Sequence, residues 1–286
     1  MKKVVTGSPA KAEEWGQEIH QLMAELYPIC RSITGDGVRT SLRILQNHIP
    51  LEIREVPTGT PVFDWRVPKE WNINAAYVRD PHGKKVIDFE ESNLRVLSYS
   101  IPVRSRMSLS DLKPHLFTDP EHPDCIPYRT SYYKETWGFC LKHREFLELA
   151  DGEYEVVIES SLEQGNLTYG EYFIKGKTDN EVLISTHICH PSLANDNLSG
   201  VGLATFLAKR LRAESLKYSY RFLFTPGTIG SITWLSLNEA RLSKVKHGLV
   251  LACVGDPGKM NYKKSRQDSA EIDRAGHADD ARDIVL

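Results

Sequence analysis

The chain has 286 residues, 41% hydrophobic and 26% charged, which suits a globular protein with a core of ordinary size in one large domain or two modest ones. A net charge of −2 and a pI near 6.6 argue against a nucleic-acid binder, which would carry a basic patch. No apolar run approaches the roughly 18 residues that a membrane span needs.

The opening MKKVVTGSPAKAEEWG lacks the apolar stretch of a signal peptide. The five cysteines (Cys30, Cys125, Cys140, Cys189, Cys253) are scattered and odd in number. They read as free thiols of a reducing cytoplasm, so a cytoplasmic protein is expected.

Residues 17–30 place Ile19, Leu22, Met23 and Leu26 at helical spacing, with an end near Tyr27 imposed by Pro28. SITGDG reads as a turn. VRTSLRILQNHI is a second helical pattern, with Val38, Leu42, Leu45 and Ile49 on one face. LEIREV alternates and predicts a strand.

From about Thr58 the texture changes to prolines, tryptophans and short alternating runs. AAYVRDPHGKKVIDF predicts a hairpin around Asp80-Pro81-His82-Gly83. LRVLSYSIPVRSRMSL predicts a strand region, and EYEVVIESSLEQGNLTYGEYFIKG a pair of antiparallel strands. HPDCIPYRTSYYKETWGFCL is rich in aromatic residues without a clean period.

After about Asn180, strand and helix patterns alternate. EVLIS, YRFLFT and HGLVLACV read as buried strands. SGVGLATFLAKRLRAE reads as a helix with Val201, Ala204, Leu207 and Leu211 inward, and GSITWLSLNEARL as another. The expected fold class is α/β: a mixed, largely parallel sheet with helices on both faces. A β-rich domain over residues 62–150 interrupts a body formed by 1–61 and 151–286.

Ligands bind such sheets at the carboxyl ends of the strands, and polar residues gather there. His187 and His190 follow EVLIST, Asp196 precedes the helix near Ser199, Gly227 follows YRFLFT, and Asp256 follows HGLVLACVG. Histidine and aspartate are zinc ligands, and a carboxylate at a helix N-terminus is a natural bridge between two ions. Each residue alone also has a plain structural reading. Asp196 in NDN could be an Asx turn or an N-cap, Asp256 before Pro257-Gly258 a turn residue, and Cys189 a small buried side chain.

The segment THICHPSLANDNLSGV resembles co-catalytic di-zinc aminopeptidases. A closer resemblance is to a bacterial family with an aminopeptidase-like domain, associated with polysaccharide biosynthesis. It is carried by LYPICRSITGDGVR, VPKEWNI, SYYKETWGFCL, DGEYEVVI, LTYGE, GTIGSITWL and CVGD, across about residues 17–274. It implies a zinc-peptidase-like fold with one or two zinc ions, and a hydrolase in which metal-activated water attacks a peptide or amide bond. His187 then corresponds to the first ligand, Asp196 to the bridging carboxylate and Asp256 to a ligand of the second ion. His190 or Cys189 either ligates or supports His187. The peptide bond after Asp196 is expected to be cis, and the clan's habit implies a homodimer.

Two departures from the family pattern matter. Relatives carry PETIGS where this chain has PGTIGS, so Gly227 stands where a glutamate base is expected, and the catalytic residue is open. Glu239, further along, is expected to face away. The tail from about Ala275 matches nothing in the family and reads as a truncation, with His277, Asp279 and Asp280 in a solvated end. A non-catalytic module binding a peptide, glycan or protein is the alternative. Tyr128, Tyr132, Tyr133 and Trp137 would be its face unless they pack a core. A chain without function is a third reading.

Overall fold

The computed structural model describes residues 9–259 and 261–275. Helix α1 (Pro9–Leu26) starts well ahead of the apolar spacing that predicts it and ends just before Pro28, which disfavours helical backbone at the residue before it. Helix α2 (Asp36–Gln46) buries Val38, Leu42 and Leu45. Strand β1 (Glu52–Pro57) follows. The hairpin appears as β2 (Glu70–Arg79) and β3 (Lys85–Asp88), its turn closed by Asp80 Oδ1, which accepts from the His82 and Lys84 amides at 2.9 Å.

The region LRVLSYSIPVRSRMSL is a strand only in its second half, β4 (Val103–Ser108). Its first half forms a short 3-10 turn, Asn93–Arg95. Arg95, only 6% exposed, is drawn inward there by ion pairs to Glu91 and Glu145, which an extended chain would not satisfy.

Strands β5 (Glu153–Glu163) and β6 (Asn166–Ile174) correct the sequence reading, because they do not pair with each other. β5 lies between β2 and β4 in an antiparallel four-stranded sheet of order β3-β2-β5-β4. β6 lies between β1 and another strand in a five-stranded sheet. Alternation marks a segment as a strand and leaves its partner to longer-range packing. Here Glu70 of β2 makes the crossing: its carboxylate accepts the Asn166 amide at 2.8 Å and holds Arg39 of α2.

The five-stranded sheet is completed by β7 (Glu181–His187), β8 (Ser219–Thr225) and β9 (Val245–Val250), with helices α3 (Gly200–Leu211) and α4 (Ile229–Leu237) between them. Its order is β1-β6-β8-β7-β9. β8, β7 and β9 are parallel, and the β1–β6 and β6–β8 pairs antiparallel. Alternate side chains go to opposite faces. Val182, Ile184, Tyr220, Phe222 and Phe224 pack with α1, α2 and α3, whereas Leu223, Leu167 and Tyr169 pack with Ile229 and Trp234 of α4. Each buried aliphatic or aromatic side chain contributes about 1.5–3 kcal/mol. The sheet is thus mixed, covered by helices on both faces, with β7 the middle one of its three parallel strands.

Candidate metal centre

β7 ends at His187, opposite Thr225 of β8. The chain then turns through Ala194–Ser199 before α3 begins. That turn returns Asp196 to the strand end. His187 Nε2 lies 2.7 Å from Asp196 Oδ1, and His190 Nε2 lies 3.7 Å from Asp196 Oδ2. Among the described residues, His187, His190 and Asp196 offer ligand atoms that all lie within 4.8 Å of one another.

The two asparagines explain how the aspartate is presented. Asn197, 3% exposed, donates to the Thr186 hydroxyl at 2.8 Å and approaches the His187 and Leu251 carbonyls at 3.1 Å. Its Oδ1 accepts the Cys253 amide. Asn195 Oδ1 accepts the Gly255 amide at 2.8 Å. Both flanking amides therefore sew the turn to the strand ends, while the Asp196 carboxylate meets the two histidines with 46% of its side chain exposed. Asp196 does not cap α3, whose N-cap position is Ser199. The Asp196–Asn197 peptide is cis, as the resemblance implies.

Burial, followed by the neighbouring His187, pushes His190 down to about 4. It is therefore a neutral imidazole near pH 7, the form that binds metal. Cys189, 1% exposed, lies behind it with Sγ 3.1 Å from His190 Nδ1, and accepts the Gly227 amide at 3.2 Å. Burial raises this thiol to about 11. The geometry thus brings His190, and not Cys189, to the carboxylate, with Cys189 backing the far side of the ring.

Asp256 stands at the rim. Its Oδ2 accepts from Asn195 Nδ2 at 3.3 Å and its Oδ1 closes a turn on the Gly258 amide, so it lies outside the compact trio. Gly227 faces the site: a Cβ there would meet Cys189 Sγ at 3.5 Å and His187 Cβ at 4.0 Å. Glu239 is exposed and follows α4 in a 3-10 turn. His277, Asp279 and Asp280 fall outside the described residues.

Two further neighbours stand beside the trio: Cys253, which sequence reasoning did not foresee, and Tyr128, which it placed on the binding face of the alternative reading. The Cys253 thiol, whose backbone has φ +54°, is held above its ordinary value by partial desolvation and by the Asp196 and Asp256 charges. Tyr128 reaches over from the aromatic-rich segment, its ring 5.1 Å from that of His190. Its hydroxyl shares a 2.6 Å hydrogen bond with Tyr132. The other aromatics divide. Tyr133 is 64% exposed, while Trp137 stacks on His115 at 3.6 Å against the core of the four-stranded sheet.

The chain is an α/β protein whose mixed sheet carries a His-His-Asp cluster at the end of a parallel strand. Residues 20–280 match the family described as "Domain of unknown function (DUF4910)", and the chain belongs to that family. A curated relative from Clostridium acetobutylicum is 61% identical over 263 residues, and its name couples polysaccharide biosynthesis to an aminopeptidase-like domain. The match takes in 92% of this chain and 61% of that protein, so the chain spans less than two thirds of the relative's length. A crystal structure from the same organism, presented as a peptidase, superposes with a TM-score of 0.91 at 60% identity, over 93% of this chain and 63% of that one. The zinc aminopeptidase BSAP from Bacillus subtilis shares the fold at 13% identity, with a TM-score of 0.59 over 87% of this chain and 71% of its own. A peptidase M28 precursor from Shewanella amazonensis SB2B does so at 14% identity, with a TM-score of 0.52 over 84% of this chain and 72% of its own. Among the described residues no helix is long and apolar enough to cross a membrane.

Proposed function

We propose that this chain holds the zinc-binding part of an aminopeptidase-like hydrolase acting on a peptide or amide bond. The observation that carries the reading is that two imidazole Nε2 atoms face the two oxygens of one carboxylate, His187 at 2.7 Å and His190 at 3.7 Å. Two imidazoles and a carboxylate are a zinc donor set. His187, His190 and Asp196 would hold the ion, and Asp256 would serve a second one. Zinc at this position supplies a Lewis acid for an amide carbonyl and a means of lowering the pKa of water.

The chain's own groups do the rest. The half-exposed Asp196 leaves the centre open to a substrate. Tyr128, beside His190, forms the wall on that side. Residues 62–150 are proposed as a domain inserted into the body of 1–61 and 151–286, with β5 from the body stretch completing its four-stranded sheet, so that this wall comes from the insert. A cytoplasmic location and a homodimer belong to the same proposal, supported by the free thiols and by the resemblance.

The test is calorimetric titration of metal-free protein with zinc, with aminoacyl p-nitroanilide hydrolysis measured on the loaded protein. Saturable uptake that Asp196→Ala abolishes, with the circular dichroism spectrum retained, is the expected result. No uptake by the parent chain overturns the reading.

Gly227 favours a second reading, a binding module on the same fold. It is a glycine at the position facing His187 and Cys189, where the resemblance expects a glutamate base. Zinc bound without any hydrolysis is the outcome that supports it.

A further inference from the structure

The motif LYPICRS, between α1 and α2, matches the family pattern yet contributes nothing to the three-residue centre. Its arginine occupies an unusual place. Arg31 is 0% exposed, and among the described residues no carboxylate pairs with it. A buried, unpaired guanidinium is costly. Burial lowers its pKa to about 10, so it stays charged. Its Nη2 is buried without a hydrogen-bond partner among the described residues.

The other guanidinium nitrogens show what the arginine does. Nε donates to the His190 carbonyl at 3.0 Å, 159 positions along the chain. Nη1 donates to the Leu26 carbonyl at the end of α1 at 2.6 Å, with Ser41 of α2 at 3.4 Å. A Cβ at Gly37 would lie 1.9 Å from the Cys30 carbonyl, so only glycine lets α2 press this closely on the segment. Beside it a second set of bonds reaches the same loop. Ser192 Oγ donates to the Tyr27 carbonyl at 3.0 Å, and Asn93 Nδ2 reaches both the Pro28 carbonyl and Ser192 Oγ at 2.9 Å.

We infer that Arg31 is a positioning residue for the proposed metal centre, its planar fork clamping the His190 backbone to the Leu26 carbonyl at the end of α1, with Ser192 and Asn93 as the second jaw. The inference rests on the zinc reading above. Asp196 is held by its flanking asparagines from the strand side, and His190 by Arg31 from the helix side. The 3.7 Å separation between His190 and Asp196 is set by these two anchorages together. A planar guanidinium bonds several carbonyls at once, which a lysine ammonium does not do in the same geometry.

The experiment measures zinc affinity by competition with a chromophoric chelator, well below the thermal transition, alongside the melting temperature. Arg31→Met is expected to bind zinc about 10–100-fold more weakly, the usual effect of removing an outer support of a ligand. Arg31→Lys is expected to fall between it and the parent. Ser41→Ala, which removes a partner of the same guanidinium on the α2 side, is expected to leave zinc affinity at the parental value. Ser192→Ala is the milder variant if Arg31→Met does not fold, and is expected to weaken zinc in the same direction. Folded Arg31→Met with parental affinity overturns the inference, as does parental affinity in Ser192→Ala if Arg31→Met is unfolded. So does equal weakening in Ser41→Ala, which would mean a general loss of packing. A parent chain that takes up no zinc overturns the metal-centre reading, and this inference falls with it. Parental affinity in the variants removes this inference alone.

Discussion

Asn197 donates from its side-chain amide to the Thr186 hydroxyl at 2.8 Å, tying the turn that carries Asp196 to the residue before His187. The same amide faces two main-chain carbonyls, so removing it orphans several buried acceptors at once. Asn197→Ala is expected to lower stability by about 1–3 kcal/mol, read as a shifted midpoint in urea with an unchanged slope. Unchanged stability would show that water replaces the amide without loss.

Gly227→Glu tests the missing base. The position has room, since the first added carbon meets Cys189 Sγ at 3.5 Å, so stability is expected to stay within about 1 kcal/mol of the parent. A correctly placed general base is worth about 10²–10⁴ in rate. Aminoacyl p-nitroanilide hydrolysis by the zinc-loaded variant is therefore expected to rise at least tenfold. A folded, zinc-binding variant without that rise means the base belongs elsewhere.

His190 gives the metal-free protein a pH dependence of definite sign. Its pKa falls from an ordinary 6.5 to about 4 on folding, so the unfolded chain takes up the proton first. Its contribution is complete above pH 6.5 and is lost as pH falls toward 4, a change on the order of 3 kcal/mol if it titrated alone. Denaturation of His190→Asn across this range is expected to show a flatter profile than the parent. Parallel profiles would place the acid sensitivity in other groups.

Cys253 offers a chemical reporter, because its exposed thiol lies under the influence of the Asp196 carboxylate. Zinc is expected to change the rate of Cys253 alkylation, followed by peptide mass, while exposed Cys125 reacts at an unchanged rate. Equal rates with and without zinc at both cysteines would place the ion away from Asp196.

Arg221 of β8 is 4% exposed and joins Glu181 of β7 at 2.7 and 3.0 Å and Glu171 of β6. Arg221→Met would leave two carboxylates short of their shared cation, at an expected cost of about 3–5 kcal/mol. A triple variant that also replaces Glu171 and Glu181 with glutamine should recover part of this loss. Failure to recover any of it would assign the cost to packing instead.

The elements closest to the site were the most legible in the sequence. EVLIS and YRFLFT are short apolar runs bounded by polar turns, and each became a strand of the five-stranded sheet, whereas of HGLVLACV only HGLV lies in a strand, the half-exposed edge strand β9, because an edge position buries only one side. His187, His190 and Asp196 could be read because they lie within ten residues of one another, where the turn alone brings them together. Cys253 arrives from a distant part of the chain with no local period to announce it, and Tyr128, named from its aromatic-rich segment, meets His190 only through the fold. The same limit explains β5 and β6. Their alternation is plain, but their partners, β2 and β4 for one and β1 and β8 for the other, lie far away in the sequence. Arg31 was hidden differently. A single arginine in a polar-looking stretch reads as surface, and only its 0% exposure gives it a role.

The crossing from β5 to β6 has a mechanical consequence. The chain leaves the four-stranded sheet at Glu163 and enters the five-stranded one at Asn166, with Glu70 and Arg39 spanning the gap. So short a link has no slack, so neither sheet can swing away or lose a central strand without dragging its neighbour. The two sheets are coupled in series, like two plates on one short axle, and heat should melt them in a single step.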